Sequence, residues 1–159
     1  MIKRSVLKGL VLALALTVAG CATLPSPEAM RAAVAGFELP RSAEPDKVLV
    51  YVVRPNELGM IVRFNVFVGD QEPASEMGYT RGGQYIHFSM PPGKNRLFSK
   101  AENTAELEID ARGGEVVYLQ QEPAMGLLFA RNSMFRIEEL PGKYLVKTLK
   151  PGTMLKPGK

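Results

Sequence analysis

From Lys47 onward, apolar and polar positions alternate with a period of two, and the sequence predicts a succession of short β-strands. Val48 to Val53 form an unbroken apolar, largely β-branched run between Pro45 and Pro55. Such a run is the signature of a central strand covered on both faces. Segment 61–68 sets Val62, Phe64, Val66 and Val68 against Arg63 and Asn65 and stops at Gly69-Asp70, which predicts a half-buried strand. A short strand over 76–80, a turn over 81–84 and a strand over 85–90 follow. Pro92 and Gly93 suit the centre of a type II turn, where the second central residue needs a positive φ. They are therefore expected to join two antiparallel strands, the second over 96–101. The clearest alternation is 105–111, with Ala105, Leu107, Ile109 and Ala111 inward and Glu106, Glu108 and Asp110 outward. Arg112-Gly113-Gly114 turns it back into a strand over 115–121, and further strands are expected over 126–131, 134–139 and 144–149. Some seven or eight short strands with almost no helical period define an all-β fold, an antiparallel β-sandwich.

Upstream of the strands, Pro25, Pro27, Pro40 and Pro45 with small residues between them predict an extended tether over 22–46. One short helix interrupts it, with Ser26 as N-cap, Pro27 in the first turn, Glu28 near the positive end of the dipole and Gly36 as a stop. Met30, Val34 and Phe37 are placed to lie against the domain or a lipid surface. The chain opens with Lys3, Arg4 and Lys8, an 11-residue apolar stretch over 9–19, and small residues before the sole cysteine, Cys21. That order is a secretory signal peptide; a membrane-spanning helix needs about 20 apolar residues.

Val18-Ala19-Gly20-Cys21 resembles a bacterial lipobox. The resemblance implies that Cys21 is lipidated, that residues 1–20 are removed, and that the new amino group is acylated. Several acyl chains together make an anchor that a single reversible chain does not. Ala22 stands where many lipoproteins retained in the inner membrane have Asp, so the resemblance implies the outer membrane, with the domain facing the periplasm. The expected organisation is 1–20 signal peptide, 21–46 lipidated cysteine and linker, 47–150 β-sandwich and 151–159 basic flexible tail.

Within the sandwich, Tyr51-Val52-Val53-Arg54-Pro55, Asn65-Val66-Phe67-Val68-Gly69, Tyr85 leading to Pro91-Pro92-Gly93-Lys94, and Gly113 before Val117-Tyr118 resemble a family of bacterial lipoproteins known as domain-of-unknown-function family 2846. The resemblance spans 47–139. It implies a fold and an envelope location, and it carries no catalytic residue across.

The whole chain has 20 basic and 16 acidic residues, a net +4. Without residues 1–20 the balance falls to 17 against 16, which argues against a nucleic-acid partner. The remaining asymmetry is local: from Pro141 there are Lys143, Lys147, Lys150, Lys156 and Lys159 and no acid. That stretch fits either anionic head groups or a solvated terminus. Ala124-Met125-Gly126-Leu127-Leu128-Phe129 reads as a core strand under a loop or, alternatively, as an interaction surface.

Catalytic chemistry finds little footing. His87 is the sole histidine, and Ser89, two residues on along one strand, is roughly 7 Å away, too far to be activated by it. One histidine and no spare cysteine cannot form the usual zinc sets. Glu106, Glu108 and Asp110 read as a solvated sheet face. No catalytic, cofactor or metal residue is expected. The reading is a lipid-anchored, non-enzymatic interaction or envelope-maintenance module, held to the membrane through Cys21 and meeting an envelope protein or cell-wall glycan. The alternative is a glycan- or peptidoglycan-binding module using Tyr51, Tyr79 or Tyr85 as stacking platforms; a hydrolase with Asp, Glu and Tyr clustered in a pocket ranks third.

Overall fold

The computed structural model describes residues 24–126 and 130–156. In chain order its elements are α1 (Pro27–Val34), β1 (Val48–Arg54), β2 (Phe64–Val68), a 3-10 turn (Pro73–Ser75), β3 (Glu76–Thr80), β4 (Gln84–Met90), β5 (Gly93–Lys100), β6 (Thr104–Ala111), β7 (Val116–Met125), β8 (Ala130–Ile137), α2 (Glu139–Thr148), β9 (Lys150–Pro151) and β10 (Thr153–Met154). The strands form two five-stranded sheets, in the orders β8-β7-β1-β4-β9 and β10-β3-β2-β5-β6. The all-β sandwich follows from the alternation, with one addition to the expected topology. The first sheet is mixed: β1 pairs antiparallel with β4, Val50 opposite Phe88, and parallel with β7, Val50 opposite Val117.

All seven residues of β1 are buried because both of its faces are covered. Val48, Val50 and Val52 point between the sheets, against a core that includes Phe88, Val66 and Leu97. Leu49, Tyr51 and Val53 point the other way, into a second core closed by Leu145 and Val146 of α2 and by Phe37, Leu39 and Ala43 of the incoming chain. One end of the inter-sheet core is polar but self-satisfied. The Thr80 hydroxyl donates to Gln121 Oε1 at 2.5 Å, and Gln121 Nε2 donates to Ser99 Oγ at 2.7 Å, all three residues fully buried. Paired in this way, they avoid the penalty of unsatisfied buried dipoles.

Several expectations are corrected. Segment 144–149 is not a strand but part of α2. Pro141 falls in the first helical turn, where its missing N–H is harmless, and Leu145 and Val146 bury one helical face against the first sheet. Pro92 and Gly93 do not make a hairpin: β4 belongs to the first sheet and β5 to the second, so this corner, with Gly93 at φ +94°, carries the chain across the sandwich. Of the expected strand over 126–131, Ala130 and Arg131 open β8, where they pair with Met125 and Ala124 of β7, and Gly126 is not in a strand; Leu127, Leu128 and Phe129 lie outside the described residues. Strand β2 begins at Phe64, so Ile61 to Arg63 belong to the preceding loop.

Both chain ends of the domain are more ordered into the fold than a tether and a frayed tail would be. Ser26 caps α1 as expected, its hydroxyl accepting from Ala29 N at 3.2 Å. Helix α1 packs on α2, and Met30 is buried. At the other end, Lys150–Pro151 runs parallel to β4, and Thr153–Met154 pairs with β3, so residues 150–154 border both sheets in turn. The signal segment and Cys21 lie outside the described residues.

Candidate functional site

At the end of β1 the chain leaves the first sheet at Pro55 and returns to the second at Phe64. Arg54 organises this loop. Its side chain follows Val48, Val50 and Val52 onto the inter-sheet face and is fully buried. The guanidinium donates to the carbonyls of Val62 (2.7 Å), Leu58 (2.8 Å) and Gly59 (2.9 Å) and lies 3.7 Å above the Phe64 ring. Burial brings its pKa down to about 10, partly opposed by the charge of Glu122, so it remains charged at neutral pH. Asn56 fastens the loop further, donating to Glu122 Oε1 at 2.6 Å and accepting from Leu58 N at 2.9 Å, while Gly82 N donates to Met60 O at 3.2 Å.

With its backbone tied inward, the loop turns its side chains outward. Leu58, Met60 and Ile61 are exposed, Ile61 to 81%. Met125, 82% exposed, stands at the same end, because β7 runs parallel to β1 and continues five residues past the Val53–Gln120 pair. Leu58, Met60, Ile61 and Met125 thus leave apolar side chains exposed at this end, the first three on a backbone fixed from within.

Cations flank it. Arg63 and Arg81 lie just beyond the last β2–β3 pair, Phe64 with Thr80, and both sit over the half-exposed Tyr79 ring, at 4.5 and 5.4 Å. Thr153 hydrogen-bonds the Tyr79 hydroxyl and lowers its pKa, with the charges of Arg63 and Arg81 acting in the same direction. Arg63 and Lys100 also line a shallow recess of about 440 Å³ on the outer face of the second sheet, with Val62, Asn65 and Phe67. Among the described residues, no carboxylate lies within ion-pair distance of Arg63, Arg81 or Lys100. The nearby Asn65 amide donates to Glu76 Oε1 at 2.6 Å.

The opposite end carries a groove of about 640 Å³ lined by Glu115, Tyr118, Arg136, Glu138 and Glu139. It is the concave polar site that a hydrolase would need. Its best-defined carboxylate is committed elsewhere: Glu115 accepts from Arg112 N at 3.0 Å and pairs with Arg136 at 2.7 Å, both of which hold its pKa below the ordinary value. A general acid at neutral pH requires the opposite shift.

Other sequence-predicted residues have structural settings. Tyr51 and Tyr85 are buried, so neither is a stacking platform for a glycan. Tyr51 instead stacks on Tyr118 (5.8 Å between centroids) and binds the Arg41 backbone, its oxygen accepting from N at 3.0 Å and its hydroxyl donating to O at 3.1 Å. His87 packs on the Tyr51 ring at 5.4 Å. Glu106 and Glu108 form cross-strand pairs with Arg96 and Lys94 on the solvated face of β6. Among the described residues there is no cluster of His, Cys, Asp or Glu fit to hold a metal, and no helix long and apolar enough to cross a membrane.

Burial, and secondarily the charge of Arg41, lower the His87 pKa below 6.5, and its Nδ1 is buried without a partner. The unfolded chain therefore takes up this proton at a higher pH than the folded one, and stability is lost as pH falls through 6.5. Urea unfolding followed from pH 7.5 to 5.5 is expected to show a falling midpoint that flattens in His87→Gln; an equal slope in both proteins would assign the acid sensitivity to other groups.

No protein-family model, curated protein or solved structure matches the chain. Sequence reasoning missed Arg54, whose only sign was a charge closing an otherwise wholly apolar strand. It also placed Ile61 in a strand, because Ile61 and Val62 extend the β-branched composition of β2 one turn too far.

Proposed function

We propose that this chain is a lipid-anchored, non-enzymatic interaction module of the cell envelope, with lipid on Cys21 and the β-sandwich facing the periplasm from the outer membrane. The lipobox-like sequence supports the anchor. The observation that carries the rest is the docking of the segment expected to be a tether: from Pro27 onward the chain packs on the domain, through Met30, Phe37, Leu39 and Ala43. Cys21 stands six residues before Pro27 in the sequence, a span of at most about 20 Å for a fully extended chain. A domain so closely held works at the membrane surface, and the exposed apolar end at loop 55–63 is the surface it offers there.

Cells expressing Cys21→Ala are expected to yield protein that takes up no labelled fatty acid and leaves the membrane fraction. Incorporation equal to that of the parent chain would overturn the anchor.

A further inference from the structure

We infer that the loop 55–63 end of the sandwich is a second membrane contact, in which Met60 and Ile61 enter the outer acyl region of a bilayer and Arg63, Arg81 and Lys100 take the phosphates of anionic head groups. The inference rests on the lipid-anchored reading only for the compartment in which the surface works.

Four observations converge on it. Met60 and Ile61 are exposed by 53 and 81% on a loop whose backbone is held by Arg54, so little conformational entropy is lost when they are buried. The cations begin immediately beside them: Arg63 is two residues from Ile61, and Arg81 adjoins Gly82, which is hydrogen-bonded to Met60. Arg63, Arg81 and Lys100 lack a carboxylate partner among the described residues, and Arg63 and Lys100 line the recess. Tyr79 lies between the two arginines with its ring half-exposed, the position of an amphipathic ring at a head-group layer.

Guanidinium groups match phosphate oxygens in a bidentate fork, and basic side chains near an anionic membrane add affinity one by one. The same arrangement disfavours a second copy of this chain, since a two-fold contact through this end would set the three cations against their own images. Glu57 is the exposed carboxylate in the loop, outnumbered by the cations around it.

The test uses the intact protein reconstituted into phosphatidylethanolamine vesicles with and without phosphatidylglycerol. With Cys21 acylated, Ile61→Cys supplies a single thiol for an environment-sensitive fluorophore, and Arg112→Cys labels the far end of the sandwich. The label at 61 is expected to shift to the blue and be quenched by shallow spin-labelled lipid, more so with phosphatidylglycerol, while the label at 112 stays in water. Adding Arg63→Glu and Arg81→Glu is expected to lower the contact equilibrium by about fivefold per arginine, in a protein that still unfolds in one cooperative step. A label at 61 as wet as that at 112 overturns the inference. So does a label at 61 that is protected without vesicles in a protein of doubled mass, and quenching indifferent to both phosphatidylglycerol and charge reversal overturns the head-group assignment. Mass spectrometry of the purified protein reads the anchor separately: if Cys21 carries no acyl chain, the anchor reading fails, and the same vesicle assay on a Cys21→Ser background still decides the contact.

Discussion

Arg54→Ala is expected to destabilise the domain by about 3–5 kcal/mol, from carbonyls left without their charged donor together with the cavity left by a large buried side chain. The loss has three sources. The carbonyls of Leu58, Gly59 and Val62 lose their common donor inside the protein, the Phe64 ring loses the guanidinium lying 3.7 Å above it, and a cavity opens in a fully buried position. Arg54→Met keeps most of the volume and should lose less than Ala, while Arg54→Lys keeps a charge but cannot fork to three carbonyls and should fall between. Urea unfolding followed by tyrosine fluorescence would give these values. A loss below about 1 kcal/mol for Arg54→Ala, the usual net worth of one ordinary hydrogen bond, would mean that water replaces the guanidinium and the loop does not depend on it.

The second large effect reverses an ordinary rule. Within a helix, Gly→Ala normally stabilises by about 1 kcal/mol, yet Gly142→Ala is expected to cost about 3 kcal/mol, at the upper end of overpacking. A Cβ at 142 would stand 2.3 Å from Cγ and 2.5 Å from Cδ1 of Tyr118. That ring cannot retreat, because it stacks on Tyr51, and Tyr51 is itself fastened to the Arg41 backbone. For a domain of this size the thermal midpoint should drop by roughly 10 °C. Tyr118→Leu in the Gly142→Ala background should recover part of it. A Gly142→Ala protein as stable as the parent would show that α2 can slide on the first sheet.

Much of the sandwich is legible in the sequence where one residue pattern has one physical outcome. The run Val48 to Val53 has no polar face to offer solvent, so it had to be central; Glu106, Glu108 and Asp110 had to face water. What escapes the sequence depends on partners remote along the chain. Tyr144, Leu145 and Val146 read as a strand by composition, but as a helix they bury one face against Tyr51 and Tyr118, a surface that exists only once the first sheet has formed. Pro92 and Gly93 specify a turn equally well within one sheet or between two, and the pairing of β4 with β1 decided which. The candidate site is less legible still. Arg63 and Arg81 stand 18 positions apart and meet over Tyr79 only through the β2–β3 register. Arg54 carries one local sign, a charge at the end of an apolar strand, and that sign does not say which carbonyls of the loop it will gather.

Residues 150–154 draw a different consequence from the architecture. One short segment completes the border of the first sheet at Lys150–Pro151, crosses at Gly152, whose N–H donates to Tyr85 O at 2.7 Å, and completes that of the second at Thr153–Met154. Every other described strand precedes it in the chain, so during synthesis Gln84–Tyr85 of β4 and Gly78–Tyr79 of β3 lack their edge partner until this segment emerges. An open edge is a template for wrong pairing, and the β1–β7 pairing also waits on residues more than 60 positions downstream, a slow step by topology. Until residues 150–154 emerge, the nascent protein should thus expose more of the β4 and β3 edges and be more readily cut by proteases there.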